Sequence, residues 1–155
     1  MSISQRLAEL SIALPPVAAP GGSYIPALQV GDLVYTSGQL PSVDGQLLAT
    51  GIVGADVDVA TAAQCARICA LNALAAAASV AGGVDNIAQV VKLTVFVASA
   101  SDPGFTQQAV VANGASDLLV EIFGPNGRHA RSAVGMAALP MNTPVEVEMI
   151  VQVAP

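Results

Sequence analysis

The spacing of apolar residues changes period several times along this 155-residue chain, and each change marks an element. Ile3, Leu7 and Leu10 share one helical face, which predicts a short amphipathic helix within residues 2–13 that Pro15-Pro16 ends. A Pro/Gly loop runs on to Ser23. From Tyr24 to Gln39 the chain reads as extended, with a hairpin turn at Gly31-Asp32 and the strongest β character from Leu33 to Ser37. A second turn at Val43–Gln46 precedes a short strand expected over Leu47–Val53. The period then becomes helical. Asp58 is placed to cap a long helix that reaches Val80, and Gly82-Gly83 to stop it. Asn86–Ala98 holds a strand centred on Val90–Val97, and after the Ser99–Gly104 loop Pro103 is expected to start a second helix ending near Phe123. Gly124–Gly127 is a turn. Two last strands are expected near Arg131–Ala138 and Pro144–Val153.

The order β-β-(β)-α-β-α-β-β predicts an α+β fold, a mixed sheet with two helices packed on one face. Two helices cannot cover both faces. In the last strand Val145, Val147, Met149 and Val151 share one side, while Glu146, Glu148, Ile150 and Gln152 share the other. The first set suits the helices. The second is apolar enough to avoid water yet carries two carboxylates, a composition that fits a subunit interface with a cleft at its edge.

Composition sharpens this picture. Hydrophobic residues make up 54 % of the chain and charged residues only 10 %, against roughly 25 % charged in a typical soluble domain. A membrane or an interface should absorb the excess. Prolines interrupt the uncharged run between Glu9 and Asp32, and Ile68–Val84 is alanine-rich and short of about 20 apolar residues. The opening Met-Ser-Ile-Ser-Gln-Arg has no signal-peptide pattern. A cytoplasmic homo-oligomer is the expectation. A net charge of −6 with one lysine argues against a nucleic-acid partner. Cys65 and Cys69, with a single histidine in the chain, make no metal set and are read as core residues. Pro20–Ser23 lacks the lysine of a phosphate loop, and Ser37 has no histidine spaced for a catalytic triad.

In so uncharged a chain, Arg131 and Glu146 stand out, because a charge among Val, Ala and Met is costly unless paired. Arg131 is either a bidentate clamp for a small carboxylate or an internal ion pair with Glu146 or Asp117. Glu146 either activates a water or is a carboxylate satisfied by its own chain. Glu148 is read as structural or interfacial. Tyr24, Thr36, Ser37 and Asn113 are polar edge residues within reach of a ligand, and His129 is read as a solvated loop residue.

Several of these residues lie in a recognisable pattern. Tyr24 followed by Gly31-Asp32-Leu33-Val34-Tyr35-Thr36-Ser37-Gly38-Gln39-Leu40-Pro41, the strand Val91-Lys92-Leu93-Thr94-Val95-Phe96-Val97, and Arg131-Ser132-Ala133-Val134 with Leu139-Pro140 and Val145-Glu146-Val147-Glu148 resemble, in order, the motifs of the RidA family, also called YjgF-like and formerly L-PSP endoribonuclease. The resemblance covers Tyr24 to Val153. It divides the chain into an N-terminal helix and loop, residues 1–23, and a RidA-like domain, residues 24–155. It implies a chorismate-mutase-like fold assembled as a homotrimer with sites between subunits. The implied reaction is cofactor-free hydrolysis of reactive enamine/imine intermediates such as 2-aminoacrylate to a 2-keto acid and ammonia. Carried across, Arg131 holds the substrate carboxylate and Glu146 positions the attacking water. Tyr24, Ser37 and Gly38 line the pocket, the backbone at Ala133 faces the ligand, and Asn113 matches the family's helix asparagine. Ala133 stands where deaminating members often carry cysteine, His129 replaces the usual proline, and the Ala98–Ala112 segment is longer. The alternatives are a binding module using the same pocket without turnover and, last, an endoribonuclease.

Overall fold

A computed structural model describes residues 1–154. The sheet that organises it has five strands: β1 (Ala27–Val30), β2 (Leu33–Thr36), β5 (Ile87–Ala98), β6 (Ala130–Met136) and β7 (Val145–Val153), in spatial order β1-β2-β7-β5-β6. β1–β2, β2–β7 and β7–β5 pair antiparallel, whereas β5–β6 pair parallel. A small ribbon of β3 (Ser42–Val43) and β4 (Gln46–Leu47) sits apart. The mixed sheet predicted from sequence is present. Its helices are α1 (Ile3–Glu9), α2 (Val59–Ala81) and α3 (Gln108–Phe123).

The parallel pair needs a crossover, and α3 supplies it between β5 and β6. That connection lays α3 over the sheet edge formed by β6. α2 covers the centre, packed on β7 and on α3. Asp58 caps it as expected, its carboxylate accepting from Thr61 N at 2.7 Å, and Gly82 ends it in the left-handed conformation with φ 78°. α2 is long and apolar enough, by length and composition, to cross a membrane. Here that surface is spent inside the fold, with both cysteines and nine alanines buried. Alanine lets the helix approach the sheet closely.

α1 starts with a capping box between Ser2 and Gln5, buries Leu7 in the core, and is tied to the turn at Val84–Asn86 by Ser4, whose N and Oγ both donate to Asp85 at 2.7 Å.

Two sequence expectations differ. Leu47–Val53 is not a strand beyond Leu47, because Gly51 and Gly54 turn the chain at φ 121° and 91° and leave Val53 only isolated bridges. The second helix begins at Gln108 and not at Pro103, because residues 101–104 close on themselves and Phe105 N bonds back to Ala100 O.

The tightest helix crossing is at Gly114. A Cβ there would overlap the backbone carbonyl of Ala63 on α2. Gly114→Ala is therefore expected to force the helices apart and to cost about 2 kcal/mol, as overpacked cores do. Thermal or urea denaturation of the variant should show that loss, and an unchanged melt would contradict the crossing.

Candidate functional site

The parity of the sheet decides where each candidate side chain points. On β5, Leu93, Val95 and Val97 are fully buried beneath the helices. Arg131 and Ala133 stand opposite Leu93 and Val95 in the parallel ladder, so both face the helices. Glu146 and Glu148 stand opposite Phe96 and Thr94, on the other face. Arg131 and Glu146 therefore look to opposite sides of the same sheet, two strands apart and three residues out of level, about 14 Å between backbones. The internal Arg131–Glu146 ion pair is excluded by this register. Asp117 is not its partner either, since the only ion pairs among the described residues are Arg6–Glu9 and Arg67–Glu121.

Arg131 is instead held by neutral oxygens. Nη1 donates to Asn113 Oδ1 at 2.8 Å and to Ser116 Oγ at 3.1 Å, and Nη2 donates to the Ala109 carbonyl at 3.4 Å. Ala109, Asn113 and Ser116 recur at helical spacing and form one stripe along α3. Of the guanidinium's five N–H groups, Nε–H and one on Nη2 meet no acceptor among the described residues. Nε and Nη2 share the edge of the guanidinium that receives a carboxylate bidentately, and of that pair only Nη2 is engaged, once and at 3.4 Å. The positive charge is oriented but not neutralised.

Ser116 also bonds His129 Nε2 at 2.9 Å, and His129 Nδ1 lies 2.6 Å from the Gly127 carbonyl. His129 is thus part of the support behind Arg131, which corrects its reading as a solvated loop residue. Neither Ser116 nor His129 in this role was apparent in the sequence. The available signal was Ser116 three residues after Asn113, two poor helix formers on one face of a helix.

The second group gathers where β2 runs out. Ser37 N donates to Pro26 O at 2.8 Å and Ser37 Oγ to Ile25 O at 2.7 Å, which fixes the end of the hairpin beside Tyr24. Tyr24 is half exposed, its hydroxyl accepting from Gly21 N at 3.2 Å. Gln39 then pairs with Val147 through both backbone bonds, so Gly38 passes directly under Glu146. A Cβ on Gly38 would overlap Glu146 Oε1; only glycine leaves the carboxylate its place. Burial, and then the charge of Glu148, push the Glu146 carboxyl above its ordinary value. Thr36, by contrast, is consumed inside the fold, its Oγ1 accepting from Met149 N.

The seven residues singled out from sequence therefore form two half-sites. Arg131, Asn113 and Ala133 lie on the helix side of the β6 edge; Tyr24, Ser37, Gly38 and Glu146 lie at the end of β2 and on the open face. Both cysteines are buried, Cys69 with its Sγ 3.6 Å from Val145 O, and desolvation holds both thiols protonated, that of Cys65 raised to about 11. No three His, Cys, Asp or Glu side chains group as a metal set among the described residues.

Residues 4–153 match the family model described as "YjgF/chorismate_mutase-like, putative endoribonuclease". The chain belongs to the YjgF/RidA family. Among curated proteins it is 43 % identical over 151 residues to Protein TCP17 of Trypanosoma cruzi, covering 97 % of this chain and 93 % of that one. Among solved structures it resembles Atu1372 of Agrobacterium tumefaciens, with 47 % identity, a TM-score of 0.86 and coverage of 97 % and 92 % of the two chains. E. coli TdcF, solved with bound serine, is 26 % identical with a TM-score of 0.62, over 90 % and 93 % of the two chains. The YjgF/RidA match includes α1 from Ser4 onward.

A carboxyl whose folded pKa is raised favours its neutral form in the folded state. Its penalty is absent at low pH and sets in as pH climbs through the unfolded carboxyl value toward the folded one. Glu148→Gln removes one of the two causes, so the Glu146 titration followed by carboxyl NMR should move down toward its ordinary value. No movement would mean that Glu148 does not act on Glu146.

Proposed function

We propose that this YjgF/RidA protein is an enamine/imine deaminase. It hydrolyses intermediates of the 2-aminoacrylate type to a 2-keto acid and ammonia, as a cytoplasmic homotrimer with sites between subunits and no cofactor. The observation that carries the reading is Arg131 itself, a charge held in place by three neutral oxygens with no carboxylate of its own and with Nε–H unspent. A ligand carboxylate completes it. The serine bound to the relative TdcF, an amino acid of the same size and charge class, supports that ligand.

The two half-sites favour an intersubunit pocket, since one protomer cannot turn Arg131 and Glu146 toward the same molecule. In the proposed cycle the substrate carboxylate docks on Nε and Nη2 of Arg131. The enamine takes a proton from solvent at carbon to give the iminium, and Glu146 of the neighbouring copy takes a proton from water as its oxygen attacks the iminium carbon. Glu146 passes that proton to the nitrogen, the C–N bond breaks to release ammonia, and the hydroxyl proton is lost to solvent as the carbonyl forms. A carboxyl pushed upward by burial is closer to the pKa a base needs near neutral pH. Tyr24 and Ser37 wall the pocket, and Gly38 keeps room for the carboxylate. The imine is intrinsically reactive, so most of the gain comes from orientation in an enclosed site.

A pocket that binds without turnover is the second reading, favoured by Ala133, which offers a methyl group where deaminating members often carry a thiol. Ribonuclease action lacks support from a chain with one lysine and a net charge of −6.

Ammonia release from a panel of amino-acid-derived imines, measured above the spontaneous rate, tests the proposal. Arg131→Ala should lower kcat/KM by about 100-fold, the worth of a charged hydrogen-bonded contact. An unchanged rate would remove Arg131 from the site. Keto-acid binding by the wild type without ammonia release would favour the binding module.

A further inference from the structure

Behind the half-site of Arg131 runs a hydrogen-bonded chain whose direction can be assigned atom by atom. Gly127 carries a carbonyl, which only accepts, and His129 Nδ1 lies 2.6 Å from it, so Nδ1 bears a proton. In the neutral ring Nε2 is then a bare acceptor. Its partner at 2.9 Å is the Ser116 hydroxyl, which donates to it. Ser116 Oγ is thereby turned to present a lone pair to Arg131 Nη1, 3.1 Å away. The order is Arg131 to Ser116 to His129 to Gly127, each group donating to the next. The far anchor is packed in place, since Gly127 is buried and a Cβ on it would overlap the Leu119 carbonyl of α3.

We infer that Ser116 and His129 are positioning residues for this site: a neutral imidazole fixes the Ser116 hydroxyl, and that hydroxyl, with Asn113, aims the Nε and Nη2 edge of the Arg131 guanidinium at a ligand carboxylate. The inference rests on Arg131 being the carboxylate clamp, but the relay itself is a property of the free protein. Asn113 alone constrains Nη1 at one point. The Ala109 carbonyl holds Nη2 at a long 3.4 Å, and the serine adds a second contact on Nη1 at 3.1 Å that tightens the orientation of the guanidinium. With the opposite tautomer Ser116 would accept from His129 as well as from Arg131, and its own hydroxyl proton, no longer taken by Nε2, would leave the oxygen's orientation unfixed.

The relay is tested first without ligand or turnover. His129 is the only histidine in the chain, so nitrogen-15 histidine labelling reports it without assignment. At about pH 8 the spectrum should show a protonated Nδ1 and an unprotonated Nε2. The opposite tautomer overturns the proposal. Hindered rotation of the Arg131 guanidinium, seen as resolved Nη signals identified by their loss in Arg131→Lys, should persist in His129→Gln, which keeps an acceptor at the Nε2 position, and collapse in Ser116→Ala and His129→Leu. Rotation indifferent to all three overturns it. The consequence for binding is read with pyruvate as probe. Ser116→Ala and His129→Leu should weaken it, and raise KM for the imine at nearly constant kcat, by about tenfold, with His129→Gln within about twofold of wild type. Weakening in all variants alike, Gln included, would mean a structural role only. If wild type binds no pyruvate while tautomer and rotation behave as stated, the clamp reading fails and the relay stands.

Discussion

A strand can send a given side chain to only one side of its sheet, and this rule arranges everything else in the molecule. The β5–β6 register puts Arg131 level with Leu93, under the helices, and the β5–β7 register puts Glu146 level with Phe96, on the bare face. A slip of one residue in either ladder would reverse one of them. The crossover through α3 then decides what Arg131 meets, because a parallel pair needs a long crossover connection and here a helix supplies it. Ala109, Asn113 and Ser116 are the face of that helix above β6. The chain thus orients a cation without cancelling it.

The same rule explains the composition. The helix side of the sheet is closed by α2, whose alanines and cysteines are buried almost throughout. The open side carries Leu28, Val30 and Tyr35, all exposed, beside the two glutamates. A chain with 10 % charged residues leaves that face apolar, and a second copy is the proposed cover. In that assembly the half-site at the end of β2 and the half-site at the β6 edge come from different subunits, which gives the open face and the site one common purpose.

Much of this was legible in the sequence where a single physical signal dominates. The alternation of Val145 to Val151 named both faces of β7, the hairpin at Gly31 was read at its true place, and Asp58 and Gly82-Gly83 marked the ends of α2. Expectations failed where local signals compete with tertiary contacts. Pro103 suits a helix start, yet backbone bonds between Ala100 and Phe105 close that segment as a loop first. Leu47–Val53 has strand composition, but Gly51 and Gly54 turn it away from any partner. His129 looked solvated because its partner, Ser116, is thirteen residues away on α3 and meets it only through the crossover. Sequence pattern named Arg131 and Glu146; only the register shows that they cannot serve one ligand within one chain.

The central claim, that Arg131 of one subunit and Glu146 of another complete a single hydrolytic site, is tested most directly by complementation. Arg131→Ala and Glu146→Gln proteins, each inactive alone, are unfolded, mixed in equal amounts and refolded, with mixed trimers verified by native mass spectrometry. A random mixture leaves an intact Arg131 facing an intact Glu146 in about a quarter of the sites of a cyclic trimer. Imine hydrolysis should recover to about that fraction of the wild-type rate. Verified mixed trimers that remain inactive would contradict the shared site.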